Sequence, residues 1–280
     1  MRQDNSWTSK GGTKLYFAPF GVVGIVNATP DSFYDGGRYD NPKVALDQAE
    51  RLIAEGAHVL DIGGESTRPF AEPVSAEEEL KRVIPILEGL AAGKYQVPVS
   101  VDTYKASVAR QVLENGASII NDVSACRFDP QLREVLAEYK PGYVLMHSLA
   151  RPDKMQVKPS YTNVIDQLLE FFEFHLQELT KAGLPEKNIV LDPGIGFGKL
   201  LEHNLTILRK IERFFSLGRP VYIGLSNKSM WQKLLQLDMD ERQTATQVAT
   251  ALLATKGVPI HRVHEVKLTV QTLQIVKSMV

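Results

Sequence analysis

Short apolar runs alternate with helix-like stretches eight times along this chain, and no other feature narrows the possible folds as far. The runs cover 21–27, 58–62, 97–102, 118–121, 143–146, 189–192, 221–224 and 262–264. Each is apolar at successive positions and bounded by turn residues, as expected of a strand buried on both faces. The stretches between them carry helix signals. Asn41 and Pro42 give an N-cap and a first-turn proline, and Gly56 a stop. Between them Leu46, Ala49 and Ile53 recur at helical spacing. Ser75 and Glu78 form a capping-box pattern for a helix into Leu90. Asn115-Gly116 closes a third helix, and 162–181 and 202–217 are longer amphipathic runs ended by Gly183 and Gly218. Two helices are expected after Gly224, the second ending at Gly257, and Val266, Val270 and Leu273 give the last helix its inner face.

Strands and helices in alternation imply parallel pairing with right-handed crossovers. Eight such units in 280 residues predict an α/β fold of the (β/α)8 TIM barrel type, with an open doubly wound sheet as the structural alternative. One domain is expected over 1–280, because no linker or low-complexity stretch divides it. Residues 1–14 are polar and read as a flexible N-terminal extension.

Charge and cysteine content exclude several roles. Lys and Arg number 32 against 33 Asp and Glu, so no global basic field is available for nucleic acid or an acidic membrane surface. An anionic substrate would need a local cationic site. No apolar run is long enough to span a bilayer, and residues 1–14 contain no signal-peptide core. Cys126 stands alone, which rules out an internal disulfide and fits a cytoplasmic setting. It reads as a small buried residue rather than a nucleophile.

The catalytic face of such a barrel lies at the C-terminal ends of its strands, and here every predicted strand end is polar. They are Asn27, Asp61, Asp102, Asn121-Asp122, His147, Asp192, the Ser226-Asn227-Lys228-Ser229 run, and Arg262 with His264. One Asp at a strand end is an ordinary helix cap. Eight polar ends are not, since buried polar groups need partners and parallel strands are otherwise apolar. Asp102, Asn121, Asp192 and Lys228 together can read a flat heterocycle with a donor–acceptor edge. Arg68, Arg262 and His264 can meet phosphate oxygens, and Asn27 can add one oxygen to a Mg²⁺ that otherwise keeps water and phosphate ligands.

Other motifs fail. The run Gly194-Ile-Gly-Phe-Gly-Lys199 has neither Walker nor dinucleotide-binding spacing. Gly64-Glu65-Ser66 is no nucleophile elbow, because Arg68 stands where the closing glycine belongs. No His or Cys cluster has zinc spacing, and His58, His175 and His203 read as structural or exposed.

Two long segments carry a resemblance. Asn27-Ala-Thr-Pro-Asp-Ser-Phe-Tyr-Asp-Gly-Gly and Asp61-Ile-Gly-Gly-Glu-Ser-Thr-Arg-Pro69 resemble the two signatures of dihydropteroate synthases. Val101-Asp-Thr, Ile120-Asn-Asp, Asp192-Pro-Gly-Ile-Gly-Phe-Gly-Lys, Ser226-Asn-Lys228 and Arg262-Val-His264 follow in that family's order. The resemblance implies a pterin-binding barrel, usually a homodimer. Its reaction joins 6-hydroxymethyl-7,8-dihydropterin pyrophosphate to p-aminobenzoate, giving 7,8-dihydropteroate and pyrophosphate for folate synthesis. Carried over by motif, Asp102, Asn121, Asp192 and Lys228 hold the pterin, with Ser226 beside Lys228 and Thr67 near the leaving group. Asn27, Arg262 and His264 hold pyrophosphate with Mg²⁺. Asp102, Arg68 and Lys228 are the expected catalytic residues, and the segments carrying Asp31, Phe33 and Arg68 are expected to close over the site.

The chain departs from the family pattern at Phe70, where Gly is common, at Asn227, where Arg is usual, and at Glu265, where Asp is usual. Ser148-Leu-Ala-Arg151 replaces the usual Met-Gln-Gly-Thr. Two alternatives remain open from sequence: a pterin-dependent methyltransferase of the same superfamily, and a pterin-binding paralogue without turnover.

Overall fold

Trp7 is fully buried, although it stands in the segment expected to be a flexible extension. In the computed structural model, which describes residues 5–29, 42–67 and 71–279, β1 (Ser6–Thr8) and β2 (Lys14–Tyr16) pair as an antiparallel hairpin. Gly11 and Gly12, both at positive φ, turn the chain between them, a conformation that costs glycine little. The hairpin presses Trp7 into the floor of the barrel, where its Nε1 donates to the Asn188 carbonyl at 2.7 Å. Burying an indole of this size stabilises by about 4–6 kcal/mol. The expectation of a free extension therefore fails from Ser6 onward, because one tryptophan among polar residues leaves no periodic signal.

Eight parallel strands follow. They are β3 (Gly21–Asn27), β4 (Val59–Gly63), β5 (Val99–Asp102), β6 (Ile119–Asp122), β7 (Gly142–Met146), β8 (Ile189–Asp192), β9 (Tyr222–Gly224) and β10 (Ile260–Val263), paired in the order β8-β7-β6-β5-β4-β3-β10-β9. Leu191 bridges to Val221 and its N–H donates to the Pro220 carbonyl at 2.9 Å, which brings the two outer strands together. The fold is a TIM barrel. Around it run α1 (Pro42–Ala54), α2 (Ala76–Ala92), α3 (Ala106–Glu114), α4 (Leu132–Tyr139), α5 (Val164–Ala182), α6 (Leu201–Arg209), α7 (Met230–Leu235), α8 (Arg242–Thr255) and α9 (Val266–Met279). Among the described residues no helix is long and apolar enough to cross a membrane.

Several helix signals act as read. Ser75 Oγ accepts from the Glu78 N–H at 3.1 Å, and Gly183 and Gly218 take left-handed φ where α5 and the stretch before β9 end. The predicted helix over 202–217 is broken: α6 stops at Arg209, and a 3-10 segment, Ile211–Leu217, completes the run. Buried Ile211 and Phe214 hold that tighter turn against the core.

The two-residue period of a strand divides the barrel into an outer and an inner face. Val26, Leu60, Val101, Leu145, Leu191 and Ile223 point outward and pack with Leu52, Ile86, Val112 and Phe172 of the helices. The alternate positions point inward. At the N-terminal end these are Val23, Val59, Ile119, Val144, Val190, Tyr222 and Ile260, an apolar layer sealed from below by Trp7 and Phe17. Two residues further along, the same inward rows hold Ile25, Asp61, Asp102, Asn121, Met146, Asp192 and Arg262. The register sets Ile25 opposite Asp61, Asp102 opposite Asn121 and Met146 opposite Asp192, and staggers these pairs around the barrel, with Asp61 opposite Ser100 and Asn121 opposite Val144. One layer thus closes the barrel and the next supplies its chemistry.

Candidate active site

A cavity of about 280 Å³ opens above the polar layer. Asn27, Thr67, Asp102, Ser226, Lys228, Arg262 and His264 all line it, so seven of the residues singled out from sequence converge on one space. Asn121 and Asp192 stand beneath them, both almost fully buried. Arg68, Asp31, Phe33 and Phe70 lie outside the described residues.

The floor is an ion-paired network. Arg262 Nε donates to Asp61 Oδ2 at 2.6 Å and its Nη2 to Asp102 Oδ2 at 3.1 Å. Asp61 also accepts from Ser100 Oγ at 2.6 Å and from Asn121 Nδ2 at 3.0 Å. Asp61 is therefore a residue that sequence reasoning noted but gave no role. It holds Arg262 and orients Asn121, as a buried carboxylate must be matched by donors. Because Nδ2 is turned to Asp61, the Asn121 Oδ1 is left buried without a hydrogen-bond partner. Such an atom is costly unless a ligand donates to it.

Burial pushes the Asp102 carboxyl above the usual carboxylate range, against the pull of Arg262, and Asp61 adds to the rise. Burial likewise raises Asp192, opposed by the Gly194 N–H, which donates to Asp192 Oδ1 at 2.7 Å, and then by Lys228, Arg262 and Lys199. Lys228 is pushed down to about 8 by burial, Asp192 and Asp102 resisting. Its Nζ lies 4.3 Å from the centre of the Phe197 ring. Also lining the cavity, His264 Nδ1 and Ser226 Oγ are 2.9 Å apart, and Asn27 ends β3, the strand beside β10.

Some polar strand ends are structural. Asp122 faces away from the cavity and accepts from the N–H groups of Ser124 and Cys126 and from Tyr143 Oη. Cys126 is buried, and burial raises its thiol above the ordinary range. His58 Nδ1 accepts from the Val22 N–H at 3.2 Å and His203 Nδ1 from the Leu200 N–H at 3.2 Å, structural roles both.

The matches to other proteins cover this whole arrangement. The pterin binding enzyme model matches residues 23–264, from β3 to His264. The dihydropteroate synthase of Bacillus subtilis (strain 168) is 44% identical over 258 residues, spanning 92% of this chain and 88% of that one. The chain belongs to the dihydropteroate synthase family. A solved dihydropteroate synthase from Yersinia pestis, in complex with a sulfonamide drug, superposes with a TM-score of 0.92 at 38% identity over 98% of each chain. One from Xanthomonas albilineans, with 4-aminobenzoic acid, gives 0.89 at 38% identity over 99% of this chain and 97% of that one. These relatives set the methyltransferase alternative aside.

Within the dihydropteroate synthase frame, the signals of the floor residues were visible as strand-end polarity. The base of the second signature was not. Glu65 Oε1 accepts from Tyr104 Oη at 2.9 Å, and its Oε2 from Lys105 Nζ at 2.6 Å and the Val74 N–H at 3.0 Å. Lys105 also pairs with buried Glu79. Glu65 thereby ties both ends of the segment carrying Thr67 to the start of α3. Asn227 lines the cavity in a left-handed conformation, φ +58°, with its Oδ1 accepting from Gln243 Nε2 and its carbonyl from Arg242 Nη1.

Proposed function

We propose that this chain condenses 6-hydroxymethyl-7,8-dihydropterin pyrophosphate with p-aminobenzoate in the cytoplasm, forming 7,8-dihydropteroate and pyrophosphate. The observation that carries the reading is the floor of the cavity: the unpaired Asn121 Oδ1 beside Asp102 and Asp192, three buried acceptors grouped as the edge of a pterin requires. A flat heterocycle with adjacent N–H donors satisfies them, and Lys228 with Phe197 offers a cation and a ring face alongside.

In this reading the bond that breaks joins the pterin methylene carbon to the pyrophosphate oxygen. The bond that forms joins the same carbon to the aryl amine nitrogen, which gives up one proton. His264, Arg262 and Ser226 supply donors for the leaving phosphates. Arg262 already commits Nε and Nη2 to carboxylates, so its remaining N–H groups serve the anion. Asp102 and its partners face the positive charge that develops on the pterin as the bond to oxygen lengthens. The amine, weakly basic, needs placement above the pterin more than activation.

Asn27 fits a role toward Mg²⁺. It offers one neutral oxygen, and among the described residues no three His, Cys, Asp or Glu side chains converge as a cage. A cation sharing Asn27 with phosphate oxygens and water would balance the charge of the departing pyrophosphate. The exposed apolar residues Val248 and Leu252 of α8 and Ile275 of α9 support a homodimer.

The test is pyrophosphate release from the pterin substrate, with and without p-aminobenzoate. Release that depends on the amine supports the synthase. Pterin binding with no release leaves a binding paralogue instead.

A further inference from the structure

Lys199 is a lysine with almost no access to solvent, 2% exposed, at the end of a motif that resembles a phosphate loop and is not one. Its Nζ meets four acceptors: His147 Nδ1 at 2.9 Å, the His147 carbonyl at 3.2 Å, and the carbonyls of Gly194 and Phe197 at 3.0 Å each. A buried ammonium persists only when its donors are matched in this way. As an ammonium Lys199 has no acceptor, so in that state His147 Nδ1 is the accepting nitrogen. Burial first, then Lys199 and Arg127, push the His147 ring down to about 2, which keeps it neutral.

Each of these contacts leads to the pterin wall. Gly194 accepts from Lys199 through its carbonyl and donates its N–H to Asp192 Oδ1 at 2.7 Å. His147 accepts from Lys199 twice and donates its own N–H to the Asp192 carbonyl at 3.0 Å. Phe197, whose carbonyl is the remaining acceptor, places its ring under Lys228. The geometry leaves no room for variation at Gly194: φ is +66°, and an added Cβ would collide with the His147 carbonyl.

We infer that Lys199 is a positioning residue for pterin binding, one that supplies a buried positive charge behind Asp192 and pins the two loops that hold it. The inference rests on the pterin-binding reading above. The charged groups facing Lys199 are Asp192 from β8, Lys228 from beyond β9, Arg127 from beyond β6 and neutral His147 from beyond β7. Those lowering Asp192 are Lys228, Arg262 and Lys199. Lys199 itself is lowered to about 7 by burial, with Asp192 opposing, so its charge is in place on the acid side of that value, where the acid limb is read. Removing it leaves Asp192 with Lys228 and Arg262 alone, so the carboxylate takes up a proton at higher pH.

The test is calorimetry with 6-hydroxymethylpterin on the whole protein, wild type and Lys199→Met, from acid to mildly alkaline pH. The variant should bind about tenfold more weakly near neutrality, with the acid limb of affinity moved to higher pH. A merely structural lysine would lower affinity without moving that limb. A wild type that does not bind the probe refutes the pterin reading. A wild type that binds, beside a variant of equal affinity and unmoved acid limb, refutes this inference alone. Should Lys199→Met not fold, the coupling is read from the other side: nitrogen NMR of the lysine ammonium groups in Asp192→Asn. Coupling being reciprocal, the Lys199 midpoint should fall when Asp192 loses its charge, and an unmoved midpoint overturns the inference.

Discussion

Asn121 and Asp61 are joined by a hydrogen bond of 3.0 Å, Nδ2 donating to Oδ2, and that bond decides which atom of the Asn121 amide is left without a partner. Asp61 is fully buried and also holds Arg262. Asp61→Ala should therefore destabilise the fold by about 1–3 kcal/mol, since the half-buried Arg262 guanidinium loses one of its two carboxylate partners. It should also free the Asn121 amide to rotate and weaken pterin binding. Urea unfolding and pterin calorimetry together check this, and a variant unchanged in both would remove Asp61 from the network.

Asp192→Ala should lose pterin affinity while keeping the fold. Asp192 accepts the Gly194 N–H through Oδ1, which leaves Oδ2 for the ligand. Each charge-assisted bond lost at a desolvated site costs about 1.5–3 kcal/mol. Calorimetry on the folded variant tests it; unaltered affinity contradicts the assignment.

The pH dependence follows from Lys228, held at about 8, below the ordinary lysine value of 10.5. Between those values the unfolded chain carries more protons, so rising pH in that window favours the folded state. Binding that needs the cation runs the other way and is lost as pH rises through about 8. In wild type, kcat/KM for the pterin substrate should fall on the alkaline side near that point. In Lys228→Arg the limb should move beyond the accessible range, whatever the residual rate. A limb that stays put assigns the titration to another group.

Mg²⁺ and pyrophosphate should bind together. Asn27 brings one neutral oxygen to the site, so the cation alone should bind weakly and pyrophosphate should strengthen it. Titration of Mg²⁺ with and without pyrophosphate decides the matter, and equal affinities contradict it. Asn27→Ala should reduce the coupling.

Asn227→Arg and Phe70→Gly should strengthen aryl-amine binding more than pterin binding. Asn227 lines the cavity beside Lys228, and an amide cannot replace a guanidinium toward a carboxylate. Its left-handed φ suits Asn better than most residues, so Asn227→Arg should also lower stability slightly. Steady-state kinetics check the first effect: changes in KM for p-aminobenzoate and in sulfonamide inhibition under about twofold, or ~0.5 kcal/mol, would sink it.

The barrel was legible in the sequence because its strands are buried on both faces and its helices carry turn chemistry that acts locally. Polar strand ends likewise announced the floor, since Asp102, Asn121 and Asp192 sit at the last inward positions of β5, β6 and β8. What stayed hidden depends on contacts far apart in the chain. Asp61 meets Arg262 across 201 residues, and Lys199 meets His147 across 52. No spacing rule links such pairs. Trp7 was missed for the same reason, its partners lying at the N-terminal end of strands spread along the chain from β3 to β10.

Trp7 and Phe17 turn the barrel into a blind well. Nothing can pass through the N-terminal layer, so whatever reaches Asn121 and Asp192 must come and go through the mouth. In the proposed reaction, a pterin seated on that floor enters before an aryl amine placed above it, and the joined product leaves as one body along the same route. Traffic in this site is set by a tryptophan at the opposite end of the fold.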